Sequence, residues 1–370
     1  MKIAQVISSC APGGAEIFVK DLSKELVRAG QNVEVWVLTR VQDIAPNNER
    51  LIEFERNFMD DLKKSGINVR FVVKRPRKDR IKTKRKLRSF FNDFKPDIVH
   101  SHLEDVTFHV CVSLPKKVPI AQTIHSTSIL HQYVQRFYLK HRLRAFIGIS
   151  KKVSDIISSR LFVESSKIFT IYNGIELPKF QCNRRINQKV KDMIAIGNLK
   201  QAKDYPTLFK AMAILKKHLI EEGIDVPKLS VVGTGELEKE LKKLVIDYRI
   251  EDIVEFLGVR NDIPELLAKS DVYVMASQWE GLSISLIEAL ASGIPIVVTD
   301  AGSNSEIIEN GITGIIVPIK DSVALADALF QLISNYELRQ KFSINAVESS
   351  KRFSIQSCTR KHLELYQNIL

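Results

Sequence analysis

Residues 271–300 read DVYVMASQWEGLSISLIEALASGIPIVVTD. A β-branched apolar run (271–277) enters a turn holding Trp279, Glu280 and Gly281. An amphipathic stretch follows as far as Gly293, and a second apolar run opens at Ile294. Strand, helix and strand within roughly thirty residues, with both strands apolar throughout, is the sequence form of a parallel βαβ unit. The same alternation continues outward. VEFLG (254–258), LSVVGTG (229–235) and MIAIGNL (193–199) read as strands, and so does GIIVPI (314–319). Leu208, Ala211, Ile214 and Leu215 mark a helix after the third of these. Upstream the pattern runs again from KIAQVI (2–7), through a helix with Ala15, Phe18, Val19, Leu22 and Leu26, to NVEVWVLT (32–39). It continues through VRFVV (69–73), DIVHSH (97–102), VPIAQTIH (118–125), AFIGIS (145–150) and IFTIYNGI (168–175). The fold class expected is α/β, with two Rossmann-like doubly wound domains, 1–177 and 190–353. Residues 176–191 lose periodicity and are expected to link them. Open α/β sheets bind ligands at the carboxyl ends of their strands, so the expected site is a cleft that both domains face.

Composition fits such a chain: 370 residues, 45% hydrophobic and 26% charged, which excludes disordered, collagen-like and coiled-coil classes. No apolar run approaches the roughly 18 residues of a membrane helix, and glycine and Glu16 come too early for a signal peptide, so a cytoplasmic protein is expected. The four cysteines, Cys10, Cys111, Cys182 and Cys358, are widely spaced and suggest neither a zinc site nor disulfides. Charge is unevenly divided. Residues 1–190 hold 35 Lys+Arg against 18 Asp+Glu, whereas residues 191–370 hold 20 against 25, so the first half favours anionic partners. Ten of these bases lie in residues 74–88 (KRPRKDRIKTKRKLR), just before Phe90, Phe91 and Phe94; YVQRFYLKHRLR (133–144) repeats the mixture. A solvated basic helix with an inward aromatic stripe and attachment to an anionic membrane surface both explain the run. No nucleic-acid module accompanies it, so no nucleic-acid partner is expected.

Glu280 and Glu288 flank the turn before the 271–300 helix, which is expected to open near Ser283 to Ser285. Its free N–H groups and positive dipole end suit an anion. The same residues also read as a capping box, Ser285-x-x-Glu288, beside a surface acid at Glu280.

The stretch WEGLSISLIEALASGIPIVVTDAGSNSEII closely resembles the signature of glycosyltransferase family 4, retaining enzymes of the GT-B fold. The resemblance implies that Glu280 orients the donor sugar and Glu288 accepts from ribose hydroxyls, while Gly281, Leu282 and the amides of Ser283, Ile284 and Ser285 hold phosphate. IAIGNLKQAKDYPTLFKA (194–211) is similar to the segment opening the family's second domain. By that resemblance Lys203 stabilises the leaving diphosphate; Asn198 stands where the family has arginine, so either Lys200 supplies the missing charge or the diphosphate is held less tightly. FLGVRNDIPELLAKSDVYV (256–274) resembles the segment that cups the base, placed here at Gly258, Val259 and Arg260. In the first domain the resemblance implies that Gly13, Gly14 and Glu16 lie in a loop facing donor phosphate and acceptor and that His125 of Thr123-Ile124-His125 contacts the sugar, with His102 expected to support it on the acceptor side. The final segment, 354–370, resembles the helix that crosses back to the first domain. No Asp-x-Asp occurs, so the pair that holds metal in other glycosyltransferases is missing, and no metal is expected. The family implies catalysis by Glu280, Lys203 and His125 on a nucleotide-sugar, UDP favoured over GDP. The acceptor it implies is a glycan or lipid-linked, as in polysaccharide or lipopolysaccharide assembly, and attachment of residues 74–88 to the inner face of the cytoplasmic membrane stays one of the two readings of that run. A nucleotide-sugar epimerase of the same fold and a basic binding module are the alternatives.

Overall fold

The computed structural model describes residues 1–72, 79–129, 132–182 and 184–370. Its described residues form two compact units. One comprises Met1–Ile175 with Ile355–Leu370, the other Glu176–Ser354.

In the first unit, β1 (Lys2–Ile7), β2 (Asn32–Val37), β3 (Asn68–Phe71), β4 (Ile98–His102), β5 (Ile120–Ile124), β6 (Ala145–Gly148) and β7 (Ile168–Thr170) form one parallel sheet ordered β3-β2-β1-β4-β5-β6-β7. In the second, β8 (Asp192–Ile196), β9 (Lys228–Val232), β10 (Val254–Gly258), β11 (Val272–Met275), β12 (Ile296–Thr299) and β13 (Ile315–Val317) form another, ordered β10-β9-β8-β11-β12-β13. Both are α/β sheets of the doubly wound kind. The order reverses between β1 and β4 in one and between β8 and β11 in the other, and these switch points are where such sheets open a crevice for ligands.

Each unit has its own core. Val33, Val35, Phe18 and Leu22 pack in the first, Val231, Val274, Met212 and Leu329 in the second. The C-terminal helix (Ile355–Ile369) lays Ile355, Cys358, Leu365 and Tyr366 into the first core. Ile355 N donates to Ile175 O, so that helix begins where the first unit's chain left off.

Residues 176–191, expected as a link, belong to the second unit. Arg184 donates to the carbonyls of Ser292, at 2.8 Å, and Ser270, at 2.7 Å, and also to that of Leu267. These are the unsatisfied ends of two helices, Ile284–Ser292 and Ile263–Lys269, which a guanidinium fork satisfies well. The basic run is only partly described, since residues 74–78 lie outside the described residues. The helix Arg80–Phe94 turns Thr83, Leu87, Phe90 and Phe94 inward and leaves Lys82, Lys84, Arg85, Lys86 and Arg88 exposed. Its aromatic stripe is thus core, with Phe90 set edge-on against Trp36.

Candidate active site

In the second unit the β11 strand ends at Met275, and the chain continues through Ser277 and Glu280 to the helix Ile284–Ser292. Ser283 is the N-cap, its hydroxyl accepting from Leu286 N. Ser285 is therefore not the cap of a capping box. Its hydroxyl is within 3.0 Å of the Tyr273 hydroxyl and donates to Ile196 O, which ties the helix start to β11 and to the end of β8. Leu282, Ser283 and Ile284 are buried, Gly281 and Ser285 half-buried, and Glu288 is buried in the helix's second turn.

The β8 strand ends at Ile196, and the chain passes Gly197 and exposed Asn198 to the short helical turn Gln201–Lys203. Lys203 Nζ donates to Glu280 Oε1 at 2.6 Å, and the Ser277 hydroxyl donates to the same oxygen at 2.7 Å. Both charged side chains are largely shielded, Lys203 at 19% exposure and Glu280 at 12%. Gln278 N donates to Ala202 O, which locks the two loops together. Beneath them Tyr205 donates to Gly197 O; burial, with Glu280 nearby, pushes its hydroxyl well above the ordinary phenol range.

The glycines here are spacers. A Cβ on Gly302, where φ is +57°, lands 1.9 Å from Glu280 O, and one on Gly197 lands 2.9 Å from the Lys203 side chain. Asp204, immediately after Lys203, holds φ +45°, a left-handed conformation kept by its surroundings. Gly258 ends β10 in a left-handed conformation, and its carbonyl accepts from Gly233 N. Half-buried Val259 follows, and exposed Arg260 is paired with Asp262.

In the first unit Gly13 is the N-cap of the helix Gly14–Arg28, and Glu16 folds back so closely that a Cβ on Gly13 would meet its carboxylate at 2.3 Å. Extended backbone and no side chain are what this approach requires. At the ends of β4 and β5, His102 Nδ1 and His125 Nε2 lie 3.0 Å apart. His102 Nε2 is 2.7 Å from Gln5 Oε1, and Gln5 Nε2 donates to the Tyr366 hydroxyl. Tyr366 in turn is 2.6 Å from His100 Nδ1. Burial keeps these imidazoles, and that of His362 on the C-terminal helix, neutral, pushing His125 down to about 3 and His362 to about 4, with His100 and His102 held well below the usual range. Leu103, next to His102, has φ +74°, a strained non-glycine backbone at this turn.

The family resemblance, rather than patterning, points to Glu280, Lys203, His102 and His125, and the sequence reading misses Ser277, Gln5, His100 and Tyr366. Gln5 had a signal: one polar residue inside the apolar run KIAQVI. Among the described residues, no cluster of three or more His, Cys, Asp or Glu is arranged to hold a metal ion.

Two family profiles tile the chain. Residues 12–179 match Glycosyltransferase Family 4, and residues 179–349 match Glycosyl transferases group 1. The Escherichia coli UDP-Gal:alpha-D-GlcNAc-diphosphoundecaprenol alpha-1,3-galactosyltransferase is 27% identical over 64% of this chain and 66% of its own length. The Bacillus anthracis N-acetyl-alpha-D-glucosaminyl L-malate synthase is 28% identical over 74% of this chain and 75% of its own. Among solved structures, Anabaena Alr3699/HepE in complex with UDP-glucose matches with a TM-score of 0.82 over 100% of both chains at 19% identity, a likeness of fold. Profiles that meet at residue 179, a galactosyltransferase among the relatives and a fold match over the whole length agree: the chain belongs to the group 1 glycosyltransferases, family 4, of the GT-B fold.

Proposed function

We propose that the chain is a retaining hexosyl- or N-acetylhexosaminyltransferase that takes its sugar from a UDP-sugar and passes it, without a metal ion, to a lipid-linked or glycan acceptor. The observation that carries this reading is the Lys203–Glu280 pair at the switch point of the second sheet, beside the N-terminus of the 284–292 helix. A diphosphate requires a cation and amide donors, whereas sugar and ribose hydroxyls require acceptors. Lys203, Asn198 and the amides of Gly281 to Ser285 meet the first requirement, Glu280 and Glu288 the second. Val259 meets the base and Gly14 the distal phosphate. His125 contacts the transferred sugar, and Gly13, Glu16 and His102 serve the acceptor side. Charge on the leaving diphosphate is neutralised by Lys203 and the helix dipole, so the catalytic contribution is positioning and electrostatic stabilisation.

The uridine donor is supported by the Escherichia coli relative's UDP-Gal and the Anabaena complex's UDP-glucose, the lipid-linked acceptor by the former's diphosphoundecaprenol. A peripheral place on the inner face of the cytoplasmic membrane goes with that acceptor. The exposed bases of 80–88, as part of the 74–88 run, give an anionic leaflet its contact at about 1 kcal/mol per base, and no described helix is long and apolar enough to cross a membrane. Exposed Tyr133 and Phe137, with Arg136 over the Phe137 and Phe162 rings, add a second amphipathic surface.

The test supplies labelled UDP-galactose, UDP-glucose and UDP-N-acetylglucosamine with an undecaprenyl-diphosphate sugar and EDTA. Label enters the lipid phase in an α linkage, and Glu280→Ala abolishes this. Sugar isomerisation with no acceptor present, or transfer only on adding Mg²⁺ or Mn²⁺, contradicts the reading.

A further inference from the structure

The proposed sugar contact, His125, does not stand alone. It is the outer end of a chain of hydrogen bonds that starts on the C-terminal helix: Tyr366 hydroxyl, Gln5 amide, His102, His125. Gln5, His100, His102 and Tyr366 are fully buried, and His125 is half-buried. Desolvation keeps the rings neutral, so each imidazole has one N–H and one bare nitrogen.

Proton direction along this chain follows from one residue. Gln5 donates its Nε2 to Tyr366, so its Oε1, which can only accept, faces His102 Nε2 at 2.7 Å. His102 Nε2 must then carry the proton, which leaves His102 Nδ1 bare. A bare Nδ1 can only accept across the 3.0 Å to His125 Nε2, which must therefore carry its own proton. His125 Nδ1 is left bare, and among the described residues no hydrogen bond engages it. On the other side the Tyr366 hydroxyl accepts from Gln5 and donates to His100 Nδ1 at 2.6 Å, whose Nε2–H is then directed at Thr123 Oγ1, at 2.7 Å. With Gln5 in this orientation, the arrangement satisfies every contact of the chain. Phe18 packs edge-on against His102 and His125 and limits ring rotation.

We propose that Gln5 and His102 are positioning residues that fix the tautomer of His125, so that His125 offers substrate an acceptor nitrogen, Nδ1, and therefore recognises a hydroxyl that donates to it. This rests on the reading of His125 as a sugar contact. A neutral imidazole locked this way takes a sugar hydroxyl as donor, and it has no N–H to give to an acceptor-only group in that place.

The test is histidine-ring ¹⁵N–¹H correlation spectroscopy on the full chain at neutral pH, with rings assigned by single substitutions. Both His102 and His125 are expected to show Nε2 protonated and Nδ1 bare. Protonated Nδ1 on His125 overturns the proposal, since that is the pattern the reversed Gln5 amide produces. Gln5→Met removes the fixing acceptor at similar volume. A second His125 population with Nδ1–H should appear, and kcat/KM for transfer should fall about tenfold, the loss of one hydrogen bond's discrimination. His102→Leu should do the same or worse. His102→Asn sets an amide oxygen where Nδ1 was and should recover most of that loss, which a merely space-filling role does not predict. If Gln5→Met leaves the His125 spectrum unchanged, the positioning role fails. Should the spectrum change while transfer holds, the tautomer is fixed as described and it is the reading of His125 as a sugar contact that fails; His125→Ala with full transfer would independently remove that contact. If Gln5→Met does not fold, the wild-type spectrum and the contrast between His102→Asn and His102→Leu decide.

Discussion

Glu280 accepts from both Lys203 and Ser277 on one oxygen, so the pair is held in place before any donor arrives. Removing Lys203 leaves a carboxylate mostly out of water without its cation. Lys203→Met is therefore expected to cost about 1–3 kcal/mol in urea unfolding and to weaken UDP binding at least tenfold by calorimetric titration. Unchanged UDP affinity would remove Lys203 from the diphosphate site. Gly302 tests the same residue through its backbone. Gly302→Ala puts a methyl against Glu280 O in a left-handed position, so transfer should fall far more than stability, by roughly 100-fold or more against about 1–3 kcal/mol. A variant with normal kcat and normal Tm would mean that the loop tolerates displacement.

At the scale of elements, the strands and helices are legible because their period is strong: apolar runs of strand length, then 3.6-residue spacing, repeated along the chain. What single-sequence patterning does not carry is long-range polar pairing. Arg184 sits in a stretch whose polarity reads as a link, yet its partners are carbonyls more than eighty residues away. Spacing places the helix start within two residues, and only the cap geometry chooses Ser283 over Ser285. The C-terminal helix brings a further burden that patterning hides, His362, whose Nδ1 lies 2.9 Å from Cys358 O while its Nε2 is buried without a partner among the described residues. The folded first unit keeps His100, His102, His125 and His362 neutral, whereas the unfolded chain protonates them below about pH 6.5. More protons bind to the unfolded state, so stability is full above pH 6.5 and falls as pH drops towards 4, by about 1.4 kcal/mol per pH unit for each histidine concerned. His362→Leu removes one of the four and an unsatisfied nitrogen. Its Tm should exceed wild type at pH 5 by more than at pH 7.5, and an equal difference at both values would mean that His362 does not titrate on unfolding.

On the scale of the molecule, the two units differ in how the chain builds them. The second is one continuous segment with its own core, and the first needs both chain ends. Residues 176–354 expressed alone are expected to unfold in a single cooperative urea transition and to bind UDP, whereas residues 1–175 without the C-terminal helix should expose the surface that Leu365 and Tyr366 cover and aggregate. A folded 1–175 fragment would show that the helix adds only a lid to an already complete core. Charge is also unevenly divided, basic over residues 1–190 and mildly acidic over 191–370, which suits an acceptor on an anionic surface and a donor site that relies on a few placed cations. Donor binding by the second unit, through Lys203, Glu280 and Glu288, is the central claim. Thermal unfolding of the full chain with UDP-sugars in EDTA measures it most directly. At 100 times the dissociation constant, a bound donor adds about 2.7 kcal/mol of stability, so the midpoint should rise with uridine donors and stay fixed in Glu288→Ala. A rise that needs a divalent metal, or one that survives Glu288→Ala undiminished, would contradict it.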